Sequence, residues 1–233
     1  ETALAALRAA QTGPGRAGWR PWLPPARTRP PTMLSEGAAK ALLARAGVAV
    51  PRGVSAPDLP ALNQLSRNLI PPLALKGSGF AHKTEAGAVR LNLASLEGES
   101  AMAGATGYLA EEMVTGALAE LLIGLRRDPV YGATLTLGFG GVTAELLHDT
   151  ATLILPVTAT EIEAALRSLR QWPLLDGFRG RARADVVSVV QVALALQALL
   201  EGDPALEEIE INPLMVCESG AIAVDAVIWK EEP

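Results

Sequence analysis

The stretch KGSGFAHKTEAGAV, residues 76–89, decides how the middle of the chain folds. It holds two of the four lysines in the chain (Lys76 and Lys83), one of the two histidines (His82) and three glycines. An apolar run, PLALKG, leads into it, and AVRLNL at its end alternates apolar and polar residues as a half-buried strand does. The pattern therefore predicts two strands joined by a flexible, positively charged, glycine-rich loop.

Two common phosphate-binding motifs fit this loop poorly. GSGFAHKT resembles G-x-x-x-x-G-K-[ST], but His82 stands where that motif needs its second glycine, and the motif opens a helix rather than a strand. The dinucleotide pattern G-x-G-x-x-G fails at the same position. A flap between two strands fits better, because its backbone N–H groups and lysine ammoniums would face phosphate charge. On the loop alone, a mobile surface hairpin with solvated lysines remains the alternative.

Length and composition exclude several classes of protein. The 233 residues suffice for one large domain or two small ones, and the net charge of −5 argues against a general nucleic-acid partner. The sequence has neither an apolar run long enough to span a membrane nor a signal-peptide layout in its first residues. The single cysteine, Cys217, excludes an internal disulfide. We therefore expect a cytoplasmic protein with no membrane or nucleic-acid partner.

Residues 1–32 differ in composition from the rest. TGPGRAGWRPWLPPARTRPP is rich in Pro, Gly and Arg and has no hydrophobic period. We expect residues 1–32 to be a linker or tail that follows a preceding domain, with a plain disordered tail as the alternative.

Residues 33–233 carry the periodic patterns of an ordered domain. Few helices stand between neighbouring strands, which favours antiparallel pairing and an α+β fold. Helices are predicted over residues 35–47, 58–68, 159–170 and 185–201. Strands are predicted over residues 48–54, 72–77, 88–93, 107–114, 118–127, 132–140, 150–157, 206–216 and 221–229.

A group of oxygen-bearing side chains lies near the end of the chain. In EIEINPL, Glu210 and Asn212 share one face of a strand, and AVDAV places Asp225 on a partner strand that can share this face. Carboxylate and amide oxygens, with phosphate oxygens and water, suit Mg²⁺. Taken alone, the group fits an exposed polar strand face equally well. A second glycine loop, GFGGVTAELLHD, adds three phosphate-proximal candidates: Gly140, Gly141 and Glu145.

In this order the motifs resemble the ATP-grasp domain of ADP-forming acyl-CoA synthetases, relatives of the succinyl-CoA synthetase β subunit. The resemblance covers about residues 33–230 and rests on LALKGSGFAHKTEAGAVRLNL, EEMVTGALAELLIGLRRDPVYGATLTLGFGGVTAELLHD, PLLDGFRG, and EIEINPLMV followed by AVDAV. It implies an ATP-grasp fold in which two α/β subdomains clasp a nucleotide. The small subdomain would span about residues 51–110, and the large one about 33–50 plus 111–230.

The resemblance also implies roles for individual residues. His82 matches a histidine regarded as a phosphoryl carrier next to the nucleotide, and Lys76 matches a lysine that contacts ATP phosphates. Asn212 and Asp225 match Mg²⁺ ligands, with Glu210 a further candidate. The remaining nucleotide-binding candidates are Gly77, Ser78, Gly79, Lys83 and Gly87 in the flap, Glu111, Glu112 and Met113 at the hinge around adenine, and Glu120 near the ribose.

The family reaction converts acyl-CoA, ADP and phosphate into free acid, CoA and ATP. The resemblance implies that this chain is the part of such a ligase that binds ATP or ADP with Mg²⁺. CoA-binding and CoA-ligase domains, in the same longer chain or in an α subunit, would complete an oligomeric enzyme acting on a small acyl substrate.

The flap and hinge depart from the family pattern at three points. GSGFA stands where members often have a Ser-Pro pair before the histidine, Ala88 replaces a glycine, and Glu111 replaces a usual Gln. Two other functions stay open: a non-catalytic ATP/ADP-sensing module, and an ATP-grasp carboxylate ligase without phosphohistidine. His82, which a sensor does not need, favours the acyl-CoA synthetase.

Overall fold

The computed structural model describes residues 20–23, 29–80, 87–141 and 149–231, which form two sheets with separate hydrophobic cores. The strands are β1 (Pro31–Met33), β2 (Gly53–Ala56), β3 (Leu73–Ser78), β4 (Val89–Leu93), β5 (Gly107–Glu112), β6 (Ala119–Asp128), β7 (Gly132–Phe139), β8 (Thr150–Ile154), β9 (Leu206–Val216), β10 (Ala221–Ala223) and β11 (Ala226–Glu231). The helices are α1 (Glu36–Arg45), α2 (Leu59–Leu65), α3 (Ala159–Arg167), α4 (Trp172–Leu175) and α5 (Val186–Gly202), with 3₁₀ turns at Ser66–Asn68 and Phe178–Gly180.

The smaller sheet has the strand order β2-β5-β3-β4 and is antiparallel throughout. Its core includes Leu73 and Leu75 of β3, which pack with Leu62 of α2. Asp58 caps the start of α2 by accepting a hydrogen bond from the Ala61 backbone N–H at 2.8 Å. We call β2–β5 with α2 the small lobe.

The larger sheet has the order β1-β11-β9-β6-β7-β8, with β10 paired to β9. Alternate residues of β6, such as Leu121, Ile123 and Leu125, are fully buried, as the period of a half-buried strand requires. Helix α5 carries apolar residues around most of its circumference, and Ala193 and Leu196 are among those that join this core. Helix α1 packs on β11 and joins the same core. We call α1, α3–α5, β1 and β6–β11 the large lobe.

The predicted α+β class with mainly antiparallel pairing is confirmed. Two strand predictions need correction, and a proline explains each. The strand predicted over 48–54 starts only at Gly53, because Pro51 has no N–H to donate to a ladder. The strand predicted over 221–229 breaks between β10 and β11, opposite Pro213, where Val224 N–H bonds the Pro213 carbonyl at 3.1 Å.

Part of the predicted linker belongs to the large lobe. Residues 31–33 form β1, which pairs with β11, so an ordered strand begins before the boundary predicted at residue 33. The Trp22 carbonyl accepts a hydrogen bond from Ala133 N–H at 2.7 Å, and the Trp22 side chain packs on the large core. These residues join the large lobe because an open sheet edge offers hydrogen-bond partners and because the Trp22 indole is apolar. A prediction from composition detects neither feature. Residues 1–19 and 24–28 lie outside the described residues.

Arg127 fixes the end of α5 to the large sheet. The residue is 6% exposed, and its guanidinium donates to the Leu206 carbonyl at 2.8 Å and to the Leu200 carbonyl at 2.5 Å. We expect Arg127→Met to lower the free energy of unfolding by about 2–4 kcal/mol, because two buried carbonyls lose their donor. Urea unfolding measures the change. Arg126→Met, on the exposed face of the same strand, is the control and should change stability by less than about 0.5 kcal/mol. Equal effects of the two changes would contradict this role of Arg127.

Candidate nucleotide site between the two lobes

Lys76 lies within β3, two residues before its end, and reaches from the small lobe to the large one. Its ammonium donates to Glu36 Oε1 at 2.7 Å and to the Val224 carbonyl at 2.7 Å. Glu111 Oε2 lies 3.0 Å from the same nitrogen. The residue is 4% exposed. Lys76 is therefore held by acceptors from both lobes, directly beside Asp225.

A second lysine shares these carboxylates. Lys40, one turn after Glu36 on α1, lies 3.0 Å from Glu36 Oε1 and also pairs with Glu111 Oε1. Glu36, Lys40, Lys76 and Glu111 are each at most 6% exposed. We call these four residues the buried charge cluster. It holds two positive and two negative groups, as a buried ionic site must if it is not to leave an uncompensated charge.

The cluster acts differently on the pKa values of its two lysines. Burial lowers the pKa of Lys40, and the neighbouring Lys76 charge lowers it further, against the opposing effect of Glu36 and Glu111. Burial also disfavours charged Lys76, but the charges of Glu36, Glu111 and Asp225 outweigh it and raise the pKa of Lys76. Lys76 is thus a firmly charged cation at neutral pH.

The predicted Mg²⁺ ligands lie next to this lysine. Asn212 lies on β9, and Asp225 lies in the short connection between β10 and β11. Asn212 N–H donates to the Asp225 carbonyl at 3.1 Å, so the two residues are side by side. Burial raises the pKa of Glu210, and the charges of Glu208 and Asp225 add to the shift, while a hydrogen bond from Asn212 opposes it. Carboxylates are therefore grouped at the place where the sequence predicts a cation.

The donor set suits Mg²⁺ bound together with phosphate. In the part of the chain that the structure describes, no group of three or more His, Cys, Asp or Glu side chains is arranged to hold a metal ion. Mg²⁺ commonly takes only one or two protein carboxylates and completes its shell with phosphate oxygens and water. Asp225 and the Asn212 amide, with Glu210 close by, fit that description.

The second glycine loop begins at the same place. Gly140 N–H donates to the Glu120 carbonyl at 2.8 Å, and a Cβ on Gly140 would lie 3.2 Å from Asn212 Oδ1. Gly141 has a φ of +72°, and a Cβ there would lie 2.7 Å from Glu120 Oε2. Glycine is favoured at 141 by the positive φ, and at 140 because a Cβ there would lie 3.1 Å from the Leu121 backbone. Glu120, Gly140, Gly141 and Asn212 are thus brought together, whereas Glu145 lies outside the described residues.

The predicted hinge residues lie where the chain leaves β5 for the large lobe. Glu112 Oε1 accepts from the Ile70 N–H at 2.9 Å, and Met113 N–H donates to the Pro72 carbonyl at 2.9 Å. The Glu111 carboxylate lies in the buried charge cluster, not on the hinge surface. Its replacement of the usual glutamine therefore adds a charge that pairs with Lys40 and Lys76.

The two ends of the flap are paired. Gly77 N–H donates to the Ala88 carbonyl at 2.8 Å, and Lys76 is in register with Val89. Ser78 ends β3, and Gly79 turns with a φ of +98°. Gly87 has a φ of +64°. His82 and Lys83 lie outside the described residues.

Sequence reasoning missed Glu36 and Lys40. Their spacing of four residues on a predicted helix is a visible signal, but it usually marks an exposed ion pair that contributes little. Only the three-dimensional arrangement shows that the pair is buried against Lys76.

The chain matches the ATP-grasp domain family over residues 25–229. It belongs to this family. The sequence resemblance and the ATP-grasp fold that it implied are thereby confirmed. No helix among the described residues is both long and apolar enough to cross a membrane.

Several known proteins are similar to this ATP-grasp chain. It is 30% identical over 218 residues to trans-feruloyl-CoA synthase FCS1 of an unknown prokaryotic organism, covering 85% of this chain and 31% of that protein. It is 28% identical over 208 residues to the β subunit of acetate–CoA ligase (ADP-forming) I of Pyrococcus furiosus, covering 83% of this chain and 90% of the subunit. The chain thus spans about a third of the synthase and nearly all of the β subunit.

A solved structure is similar over the whole chain. It is dinucleotide-forming acetyl-coenzyme A synthetase 1 of Ca. Korarchaeum cryptofilum, in complex with coenzyme A and Mg-AMPPCP. The TM-score is 0.74 and the identity 25%, with 99% of this chain and 100% of that chain covered.

Proposed function

We propose that this chain is the nucleotide-binding, phosphoryl-transfer part of an ADP-forming acyl-CoA synthetase. The observation that carries the proposal is that Lys76 of the small lobe lies next to Asp225 of the large lobe. Lys76 donates to the carbonyl of the residue before Asp225, although 148 positions separate the two bonded residues. A firm cation beside a group of carboxylates is the arrangement that a Mg²⁺–nucleotide phosphate group needs.

The comparisons support this reading. The P. furiosus subunit, which this chain matches over 90% of its length, is part of an acetate–CoA ligase (ADP-forming). The Ca. Korarchaeum cryptofilum synthetase has a phosphohistidine segment that points towards its nucleotide-binding site in the complex with Mg-AMPPCP. By analogy, His82 is the phosphoryl carrier nearest the nucleotide in this chain.

The proposal gives each candidate residue a role. Lys76, with Lys83 and the glycines of the flap, neutralises phosphate charge, and Asn212 and Asp225, with Glu210 nearby, hold Mg²⁺. The metal would offset the charge on the phosphoryl group during transfer. The backbone at Glu112 and Met113 would border adenine, and Glu120 the ribose. Gly140 and Gly141 would let the backbone approach the phosphates.

The complete reaction needs partners beyond these residues. CoA-binding and CoA-ligase domains, in a longer chain or a separate α subunit, would supply the acyl and CoA sites and the oligomeric state. The cytoplasmic location expected from Cys217 stays a prediction.

The test is whether nucleotide binding depends on Mg²⁺ and on Asp225. We expect calorimetric titration with ADP to show tighter binding when Mg²⁺ is present. Asp225→Asn should weaken binding in Mg²⁺ at least about tenfold, since loss of even an outer-shell partner of a metal commonly costs 10–100-fold in affinity. Without Mg²⁺, the variant should bind ADP as well as the wild-type chain does.

The control for this test is Asp176→Asn, which removes the same charge from an exposed pair with Arg183. It should leave affinity and Mg²⁺ dependence unchanged. Absence of nucleotide binding by the wild-type chain, or equal binding by Asp225→Asn in Mg²⁺, would refute the proposed site.

A further inference from the structure

Two of the three donors of Lys76 are used in hydrogen bonds among the described residues, and the third faces a carboxylate. An ammonium carries three N–H donors. Lys76 faces three acceptors: Glu36 Oε1 at 2.7 Å, the Val224 carbonyl at 2.7 Å and Glu111 Oε2 at 3.0 Å. A phosphate oxygen can therefore contact Lys76 by taking the donor that faces Glu111, or else by displacing a hydrogen-bonded acceptor.

The contact with Glu111 is the weakest of the three. Glu111 Oε2 is buried and lies within ion-pair distance of Lys76, yet its geometry does not make a hydrogen bond. The other oxygen of the same carboxylate bonds Lys40. Lys76 can thus turn from Glu111 to a phosphate while Lys40 keeps that carboxylate neutralised.

Lys40 is the cation that makes this exchange possible. It pairs with Glu36 and with Glu111, the same two carboxylates that hold Lys76. With Lys40 present, each carboxylate keeps a cation when Lys76 moves. Without it, two buried carboxylates would depend on Lys76 alone, and moving Lys76 would leave them unpaired at high cost.

We propose that Lys40 and Glu36 are positioning residues that set how readily Lys76 is released to a nucleotide phosphate. Neither touches the nucleotide, and both act through Lys76. This inference rests on the proposed function, because it requires that Lys76 binds phosphate. It implies that two changes in one small cluster shift nucleotide affinity in opposite directions.

The experiment is a set of Mg²⁺–ADP titrations on the whole chain with three variants. Lys40→Met makes the cluster net negative, so Lys76 is held more tightly and the dissociation constant should rise about tenfold. Glu36→Gln makes it net positive and frees Lys76, so the dissociation constant should fall about threefold. The double variant restores balance, so its dissociation constant should lie above that of Glu36→Gln, close to the wild-type value.

A second background separates release of Lys76 from general attraction of the nucleotide. If Lys40 and Glu36 act through Lys76, neither change should alter affinity in a chain that already carries Lys76→Met. If they act only as distant charges on the phosphates, both shifts persist in that background. Persistence would therefore overturn the inference.

Matched charge changes elsewhere serve as controls. Lys230→Met removes a lysine from its pair with Asp203, and Glu163→Gln removes a glutamate from its pair with Arg167. Both pairs lie outside the cluster, so neither change should move nucleotide affinity by more than about twofold.

The outcomes distinguish this inference from the proposed function. A wild-type chain that does not bind Mg²⁺–ADP refutes the function and the inference together. A wild-type chain that binds, with Lys40→Met and Glu36→Gln shifting affinity in the same direction, refutes the inference alone. If Lys40→Met does not fold, the other two variants still decide: Glu36→Gln must bind more tightly, and the double variant must reverse that gain.

Discussion

Replacement of His82 by alanine should abolish transfer of the γ-phosphoryl group from ATP to the protein. With γ-labelled ATP and Mg²⁺, we expect the wild-type chain to acquire acid-labile, base-stable label, as a phosphorylated imidazole does. His82→Ala should remain unlabelled although it still binds nucleotide. With CoA-binding and ligase domains supplied, turnover should fall on the order of 10⁴-fold, because loss of a nucleophile removes the covalent route.

The chemistry of this step is balanced without any further reactant. A ring nitrogen of neutral His82 attacks the γ-phosphorus, an N–P bond forms, and the bond to the β,γ-bridging oxygen breaks as ADP leaves. Imidazole suits this role because its neutral form is well populated near pH 7. Lys76 and Lys83, together with Mg²⁺, would oppose the charge that moves onto the leaving group.

The chain provides its own control for this prediction. His148 is the only other histidine, so His148→Ala removes an imidazole without removing the proposed carrier. It should be labelled like the wild-type chain. Label that survives in His82→Ala, or an unlabelled wild-type chain that binds Mg²⁺–ATP, would exclude the carrier role and favour a sensor or a ligase without phosphohistidine.

Local patterns in the sequence predicted most of the fold. Strands β6, β7 and β9 have alternating burial, and α5 has a long apolar surface, so each element carries its own signal within a few neighbouring residues. Strand β1 has only three residues and forms by pairing with β11, nearly 200 positions away. No local pattern reports such a pairing, so its residues looked like linker.

The candidate site was likewise predicted only in part. The glycine flap was predicted from its residue types and spacing. The roles of Asn212 and Asp225 were predicted from the resemblance, because the pair taken alone fits an exposed polar strand face equally well. The buried charge cluster was missed because Glu36 and Lys40 look like an ordinary helical ion pair. Only the fold brings Lys76 of β3 and Glu111 of β5 into contact with them. Residue type, spacing and the resemblance thus gave the candidate site residues, whose roles stay predictions, while the groups that restrain Lys76 depend on tertiary packing.

Lys76→Met is expected to have two separate effects, one on nucleotide binding and one on stability. Loss of the cation beside Asp225 should weaken Mg²⁺–ADP binding on the order of 100-fold, since charge-assisted bonds to phosphate are among the strongest in a site. Loss of one of two buried lysines also leaves Glu36 and Glu111 sharing Lys40, which should lower the free energy of unfolding by about 3 kcal/mol. Calorimetry and urea unfolding measure the two effects.

A second substitution separates these effects. Adding Glu36→Gln to Lys76→Met removes the excess negative charge and returns the cluster to one cation and one anion, so stability should recover by about 2 kcal/mol. Nucleotide affinity should stay low, because no ammonium remains beside Asp225. Recovery of affinity together with stability would mean that Lys76 serves only to hold the lobes together. Recovery of stability alone assigns the phosphate contact to Lys76. Charge balance would then restore the free energy of unfolding but not nucleotide affinity, because affinity needs the Lys76 ammonium.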